Sequence, residues 1–206
     1  MDGIIFDVDG TLWDSVEVVA ESWNLAIKEN SDLEPNLNRE ILQGLFGKTM
    51  DEIAAGVFPD LDLNARKKLM DICFEYENRY LETHPGTYYE GVMDTLKELA
   101  LEYPLFIVSN CQCGYIEVMM KGAGMEPYIK DFLCFGQTQT SKDQTILKLM
   151  EKNNLKSPVY VGDTQGDADS CKKAGIPFIF AEYGFGQVDK PDYRITRPLD
   201  LTEICR

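Results

Sequence analysis

Three short, unbroken apolar runs punctuate the chain, and each stops at a polar residue. Residues 3–6 lead to Asp7, residues 105–108 to Ser109 and residues 158–162 to Asp163. A strand with one wet face alternates apolar and polar positions, whereas a strand covered on both faces does not. Runs of this kind therefore predict strands of a parallel sheet sandwiched between helices. Residues 92–101, 116–125, 145–150 and 168–174 repeat apolar side chains at intervals of three and four, the spacing of one helical face. Strands alternating with helices predict an α/β fold, a doubly wound, Rossmann-like and mostly parallel sheet. Ligands of such sheets sit beyond the carboxyl ends of the strands, which is where Asp7, Ser109 and Asp163 fall.

Residues 15–85 break the alternation, with helical spacing and no strand pattern. Residues 16–30 read as an amphipathic helix, and a shorter pair covers residues 39–45 and 50–58. Residues 64–81 read as a long helix whose apolar stripe is Leu69, Ile72, Cys73, Tyr76 and Tyr80. Crossovers between parallel strands are usually far shorter than this block. The expectation is an inserted all-helical cap domain, residues 15–85, on a core built from residues 1–14 and 86–206. The alternative is a set of long crossover helices packed on the same sheet.

Composition narrows the function. At 206 residues and 44% hydrophobic content, the chain can bury a sizeable core. A net charge of -15 argues against nucleic acid or an anionic membrane as a partner. It leaves room for a small anionic substrate, because a metal ion or a few cations can reverse the field locally. No apolar stretch is long enough to span a bilayer, and residues 4–6 are too short for the core of a signal peptide. Six cysteines follow neither a disulfide framework nor a zinc-site spacing. Free thiols in a reducing cytoplasm are expected.

Four clusters carry candidate chemistry. In Asp7-Val8-Asp9-Gly10-Thr11, two carboxylates two residues apart on an extended segment share a side, and Gly10 permits a sharp turn. Adjacent carboxylates repel unless a cation or a proton lies between them. One reading makes them a nucleophile and metal ligand beside a proton carrier; the other makes them a polar turn. Ser109-Asn110 offers a hydroxyl and backbone N–H groups to a phosphoryl oxygen, or is a common turn pair. Lys142 opens a helical stretch and is either a point charge for phosphate or a solvated lysine. Gly162-Asp163-Thr164-Gln165-Gly166-Asp167 joins a strand to a helix. Its carboxylates suit magnesium, or else cap the helix and oppose its dipole.

Taken in order, these clusters closely resemble the pattern of the haloacid dehalogenase superfamily: DxDGT, a Ser or Thr ending a strand, a Lys, then GDxxxD. The likeness spans nearly the whole chain, although Lys142-Asp143 stands where many members have Lys-Pro. The helical block resembles the C1-type cap of the superfamily's phosphoglycolate phosphatases. The resemblance implies a Mg²⁺-dependent phosphatase acting on a small phosphorylated metabolite. It implies that Asp7 forms an aspartyl-phosphate while Asp9 protonates the leaving oxygen and then activates water. It further implies a metal held by Asp7, the Asp9 carbonyl, Asp163 and Asp167, with phosphate held by Ser109, Asn110 and Lys142. A carboxylate at Asp9 sets the chain apart from the dehalogenase branch. Two alternatives stay open, a sugar phosphomutase and a non-catalytic regulatory protein on the same scaffold.

Other residues are weighed against plainer roles. Lys48, after Gly44 and Gly47, is a candidate for selecting the substrate's tail, against a solvated lysine. His84 is read as a hinge or surface residue, Cys111 and Cys113 as packing, and Trp13 and Trp23 as filling the seam between core and cap.

Overall fold

The computed structural model describes residues 1–205. Strand β1 (Ile4–Phe6) and the short β2 (Trp13–Asp14) precede four helices, α1 (Val16–Asn30), α2 (Arg39–Gln43), α3 (Met50–Val57) and α4 (Leu63–Leu81). The chain returns through β3 (Thr87–Tyr88) to α5 (Val92–Leu99), β4 (Leu105–Ser109), α6 (Tyr115–Ala123), β5 (Ile129–Cys134) and α7 (Phe135–Thr138). It continues through α8 (Lys142–Asn153), β6 (Val159–Gly162), α9 (Gln165–Ala174), β7 (Phe178–Ala181), β8 (Tyr193–Ile195) and α10 (Leu201–Ile204).

Six strands form one sheet in the order β5-β4-β1-β6-β7-β8, and every neighbouring pair is parallel. The alternation of side chains along each strand divides the core in two. Ile4, Phe6, Leu105, Ile107, Val159 and Val161 face the layer of α5 and α6, where Leu96, Ile116 and Met119 cover them. Ile5, Phe106, Val108 and Tyr160 face the layer of α8 and α9, against Ile146, Leu149 and Cys171. Both faces are dry, which is why the strands read as unbroken apolar runs.

The sheet also holds strands that the apolar runs did not announce. β5 and β8 are edge strands with partly exposed residues, among them Asp131 and Arg194, so their patterns are broken. β7 is an unbroken buried run. It is closed by Glu182 rather than by one of the four clusters.

The helical block packs around its own apolar cluster, with α1 running along α4. Val19, Trp23, Leu42, Ile53, Met70 and Cys73 belong to that cluster. The stripe expected on α4 is rotated: its buried residues are Leu69, Met70, Cys73, Glu77 and Leu81, while Ile72, Tyr76 and Tyr80 are only partly covered. A glutamate therefore stands where the apolar spacing calls for another hydrophobe. Local signals fix the helix starts. Asp62 accepts from the N–H groups of Asn64 and Ala65, and Thr49 and Glu52 cap α3 reciprocally.

The chain leaves and re-enters the sheet region through β2 and β3, which pair antiparallel. A Cβ on Gly86 would lie 2.8 Å from the Asp14 carbonyl oxygen and 2.9 Å from the Trp13 ring. The two passages cross too closely for any side chain there. Gly86→Ala is expected to destabilise the fold by about 1–3 kcal/mol through this overpacking. Urea unfolding of the two proteins checks it.

Candidate active site

The middle strands β4, β1 and β6 end together, and this brings the sequence-distant groups to one edge. The Asp7 N–H donates to Val161 O at 2.8 Å, which fixes Asp7 at the seam between β1 and β6. Gly10 then turns the chain with a φ of 77°, in the left-handed region that favours glycine. Asp7, Asp163 and Asp167 are all buried, and one carboxylate oxygen from each lies within 4.8 Å of the others. Lys142, the first residue of α8, is 5% exposed and donates to Asp7 Oδ1 at 3.0 Å and to Asp167 Oδ1 at 2.5 Å.

Each carboxylate has its own supports. Asp167 Oδ2 accepts from the Thr164 N–H at 3.0 Å and from the Thr164 hydroxyl at 2.7 Å, so Thr164 caps α9. Asp163 Oδ2 accepts from the Phe185 N–H at 2.8 Å. Its Oδ1 is buried and has no partner among the described residues. Space around Asp163 exists only because two neighbours lack side chains. A Cβ on Gly10 would fall 2.1 Å from Asp163 Oδ2, and one on Gly184 would fall 2.4 Å from Asp163 Cβ.

Asp9 points elsewhere. Its Oδ1 accepts from the Tyr115 hydroxyl at 2.6 Å and from the Ser15 hydroxyl at 3.1 Å. Asp9 therefore lies outside the carboxylate triad. Burial pushes its pKa up to about 6, against the hydrogen bonds from Tyr115 and Ser15 that hold it down. Burial also opposes the Lys142 charge, but Asp167 and Asp7 outweigh it and keep the ammonium well above its ordinary value.

Ser109 ends β4, buried beside Asn110. The Asn110 side chain donates to the Gly47 carbonyl at 3.0 Å, tying the strand end to the loop after α2. The Asn78 amide does the same from α4, donating to the Cys113 carbonyl at 2.9 Å. These contacts close the helical block over the strand ends. Between them lies a cavity lined by Asp7, Asp9, Ser109, Asn110, Lys48 and Glu77 together with aromatic side chains.

Residues 4–181 match the family model of haloacid dehalogenase-like hydrolases. The chain belongs to that family. A phosphoglycolate phosphatase of Aquifex aeolicus is 25% identical over 214 residues, covering 98% of this chain and 95% of that protein. A phosphoglycolate phosphatase of Vibrio parahaemolyticus is 24% identical, covering 98% of this chain and 94% of that one. In fold, a crystal structure titled a predicted phosphoglycolate phosphatase from Haemophilus somnus superposes with a TM-score of 0.87. It is 23% identical and covers 100% of this chain and 98% of its own.

In this haloacid dehalogenase-like hydrolase the structure thus gathers Asp7, Asp163 and Asp167 within 4.8 Å of one another and pairs Lys142 with Asp7 and Asp167, while Asp7, Asp9, Ser109, Asn110 and Lys48 line one cavity. Several site residues had no motif to announce them. Tyr115 and Ser15 reach Asp9 from α6 and from the entry to α1, and Gly184 and Phe185 reach Asp163 from the loop after β7. Of the residues given plainer roles, His84 is exposed and stacks on Tyr80 at 4.2 Å. Cys111 is buried, but Cys113 is exposed and is not core packing. Trp13 packs on Tyr115 and Tyr88, and Trp23 lines the cavity.

The crowding of carboxyls has a consequence for stability. Burial, together with neighbouring acids, pushes Asp7 up to about 7 and Asp163 up to about 8, with Lys142 opposing in both cases. Each carboxyl then holds its proton more tightly in the folded chain than in the unfolded one. Between the ordinary carboxylate range and these values the folded state carries more protons, so stability falls as pH rises. The melting temperature in chelator is expected to drop from about pH 5 to about pH 8, and a divalent cation should recover part of the loss at the upper end. Scanning calorimetry checks both; a melting temperature rising over that range would contradict the assignment.

Proposed function

We propose that this chain hydrolyses small phosphomonoesters, with Asp7 as nucleophile and Mg²⁺ as cofactor. The observation that carries the reading is the buried group of Asp7, Asp163 and Asp167, one of whose oxygens, Asp163 Oδ1, is left without a partner. When all three carboxylates are ionised, one ammonium leaves two negative charges in a dry space, a deficit that a divalent cation would fill. Donors that are all oxygen suit a hard ion such as Mg²⁺. Asp7, Asp163, Asp167 and the Asp9 carbonyl would hold it. When bound, Mg²⁺ neutralises charge on the carboxylates and on the phosphoryl oxygens.

The side chains supply the rest. The Ser109 hydroxyl, the Asn110 N–H and the Lys142 ammonium bind phosphoryl oxygens and set the phosphorus in line with the Asp7 carboxylate. Asp7 attacks phosphorus, and the ester P–O bond breaks. Asp9 gives its proton to the departing oxygen, then takes one from the water that attacks the aspartyl-phosphate and releases phosphate. A pKa of about 6 lets Asp9 serve in both directions near neutral pH. We further propose residues 15–85 as a cap over the core of residues 1–14 and 86–206. Its separate apolar cluster and its contacts at Asn110 and Cys113 support that division. Closure excludes bulk water and strengthens the local electrostatics. Lys48, on the cavity wall, would draw the dianionic ester inward against the negative field of the protein. No described helix is long and apolar enough to cross a membrane. The described cysteines are all free, and a reducing cytoplasm fits them.

Asp7→Asn keeps the side-chain volume but removes the nucleophile, so phosphate release is expected to fall by at least about a thousandfold while the circular dichroism spectrum is retained. In wild-type protein the same assay should read no turnover in excess chelator and full turnover once Mg²⁺ is restored. Appreciable activity in Asp7→Asn, or in chelator, would overturn the mechanism.

A further inference from the structure

One acidic residue of the cavity has no part in this mechanism. Glu77, on α4, is 4% exposed and is one of the residues that line the cavity, as Asp9 is. Burial of a carboxyl at such a depth normally comes with a basic partner or several hydrogen bonds. Glu77 has neither a lysine nor an arginine paired with it among the described residues. Its Oε2 accepts from Trp23 Nε1 at 2.6 Å, and Gln112 supplies one further hydrogen bond. Lys48, the cavity's other charged residue from the helical block, lies close enough to Glu52, in the first turn of α3, to help hold that carboxyl below its ordinary value. Burial, with Asp9 adding to it, pushes Glu77 up to about 8 despite those two hydrogen bonds.

The surroundings of this carboxyl are aromatic. Trp23, Phe46, Phe74 and Tyr115 line the same cavity, with Trp23 and Phe74 edge to face at 5.9 Å. This carboxyl accepts two hydrogen bonds and has no cation paired with it. An ammonium group would pair with the carboxylate inside the aromatic wall. A carboxylate-bearing leaving group would instead meet Glu77 as a like charge or force it to stay protonated. The phosphoryl end of a substrate is anchored at Asp7, so the end that reaches Glu77 is the leaving group.

We propose that Glu77 is a specificity-determining residue that selects phosphomonoesters of small amino alcohols, by pairing with the ammonium group of the leaving alcohol inside the aromatic wall of the cavity. This rests on the reading that phosphomonoesters bind at Asp7. Glu77 then acts on the far end of the substrate and takes no part in phosphoryl transfer. The protein's net charge of -15 draws such a cationic end inward as well.

The test compares O-phosphoethanolamine with ethyl phosphate, which has the same length and lacks the ammonium group, and with 2-phosphoglycolate, which carries a carboxylate. The kcat/KM ratio of O-phosphoethanolamine to ethyl phosphate is measured in wild-type protein and in Glu77→Gln, a variant that keeps the acceptor for Trp23. Wild-type protein should favour the amino ester over both others. The ratio should fall about tenfold to a hundredfold in Glu77→Gln, the worth of a charged hydrogen bond. Using a ratio within each protein cancels any general effect of the substitution on turnover. A wild-type ratio at or below one, a preference for 2-phosphoglycolate, or a ratio unchanged in Glu77→Gln overturns the proposal. If wild-type protein hydrolyses none of the three, the phosphatase reading has failed. Calorimetric binding of O-phosphoethanolamine and ethyl phosphate to wild-type protein then decides on Glu77, and equal affinity overturns it. Should Glu77→Gln not fold, the wild-type ratio and the same calorimetric pair settle the matter.

Discussion

Three carboxylates held within a few ångströms of one another in a dry site repel, and much of the local structure exists to permit that arrangement. Lys142 answers two of them at once, sitting between Asp7 and Asp167. It can do so only because α8 begins at the level of the strand ends, so the lysine enters from the side of the sheet. Thr164 and the Phe185 N–H take further oxygens. What is left over is a deficit of positive charge beside Asp163 Oδ1. A buried site of this kind is costly to the fold as it stands and becomes favourable only when a cation enters.

The sheet makes that arrangement possible by being rigid and dry on both faces. β1 lies between β4 and β6, and all three run in the same direction, so their ends share a level. Asp7, Ser109 and Asp163 are thus placed by backbone ladders rather than by flexible loops. Glycine supplies the remaining clearance. Gly10 turns the chain, and Gly184 lets the loop after β7 come down onto Asp163. Opposite this rigid edge, the helical block meets the core through polar contacts, the Arg39–Asp14 ion pair, the packing of Phe46 on Phe185 and the narrow β2–β3 crossing. The contrast suits a device in which one half fixes the chemistry and the other half admits and encloses the substrate.

The two sides of the cavity also divide the electrostatic work. Lys142 pairs with Asp7 and Asp167. Burial raises Asp9, and hydrogen bonds from Tyr115 and Ser15 oppose that push. Glu77 and aromatic side chains line the same cavity. In the mechanism proposed above, the first two groups would carry the chemistry and the last the choice of substrate.

Much of this was legible in the chain itself. Unbroken apolar runs imply strands buried on both faces, and the groups that close them mark the working edge, because backbone direction alone decides where a strand ends. The helices of residues 16–81 were legible for the same reason, since an amphipathic period and capping residues are local properties. Edge strands β5 and β8 were not, because a half-exposed strand carries no consistent period. Nor was the rotation of α4 that buries Glu77, since which face of a helix turns inward depends on what packs against it. Tyr115, Ser15, Gly184 and Phe185 became visible only in three dimensions. They serve the site through contacts across 6 to 106 positions of chain, and no local spacing records such contacts. The pattern along the chain carried the alternation of central strands and helices and the candidate groups that close those strands. The tertiary structure alone decided which of those groups pair, which oxygen goes without a partner and which buried acid lines the cavity, because these follow from distances between elements rather than from the pattern within them.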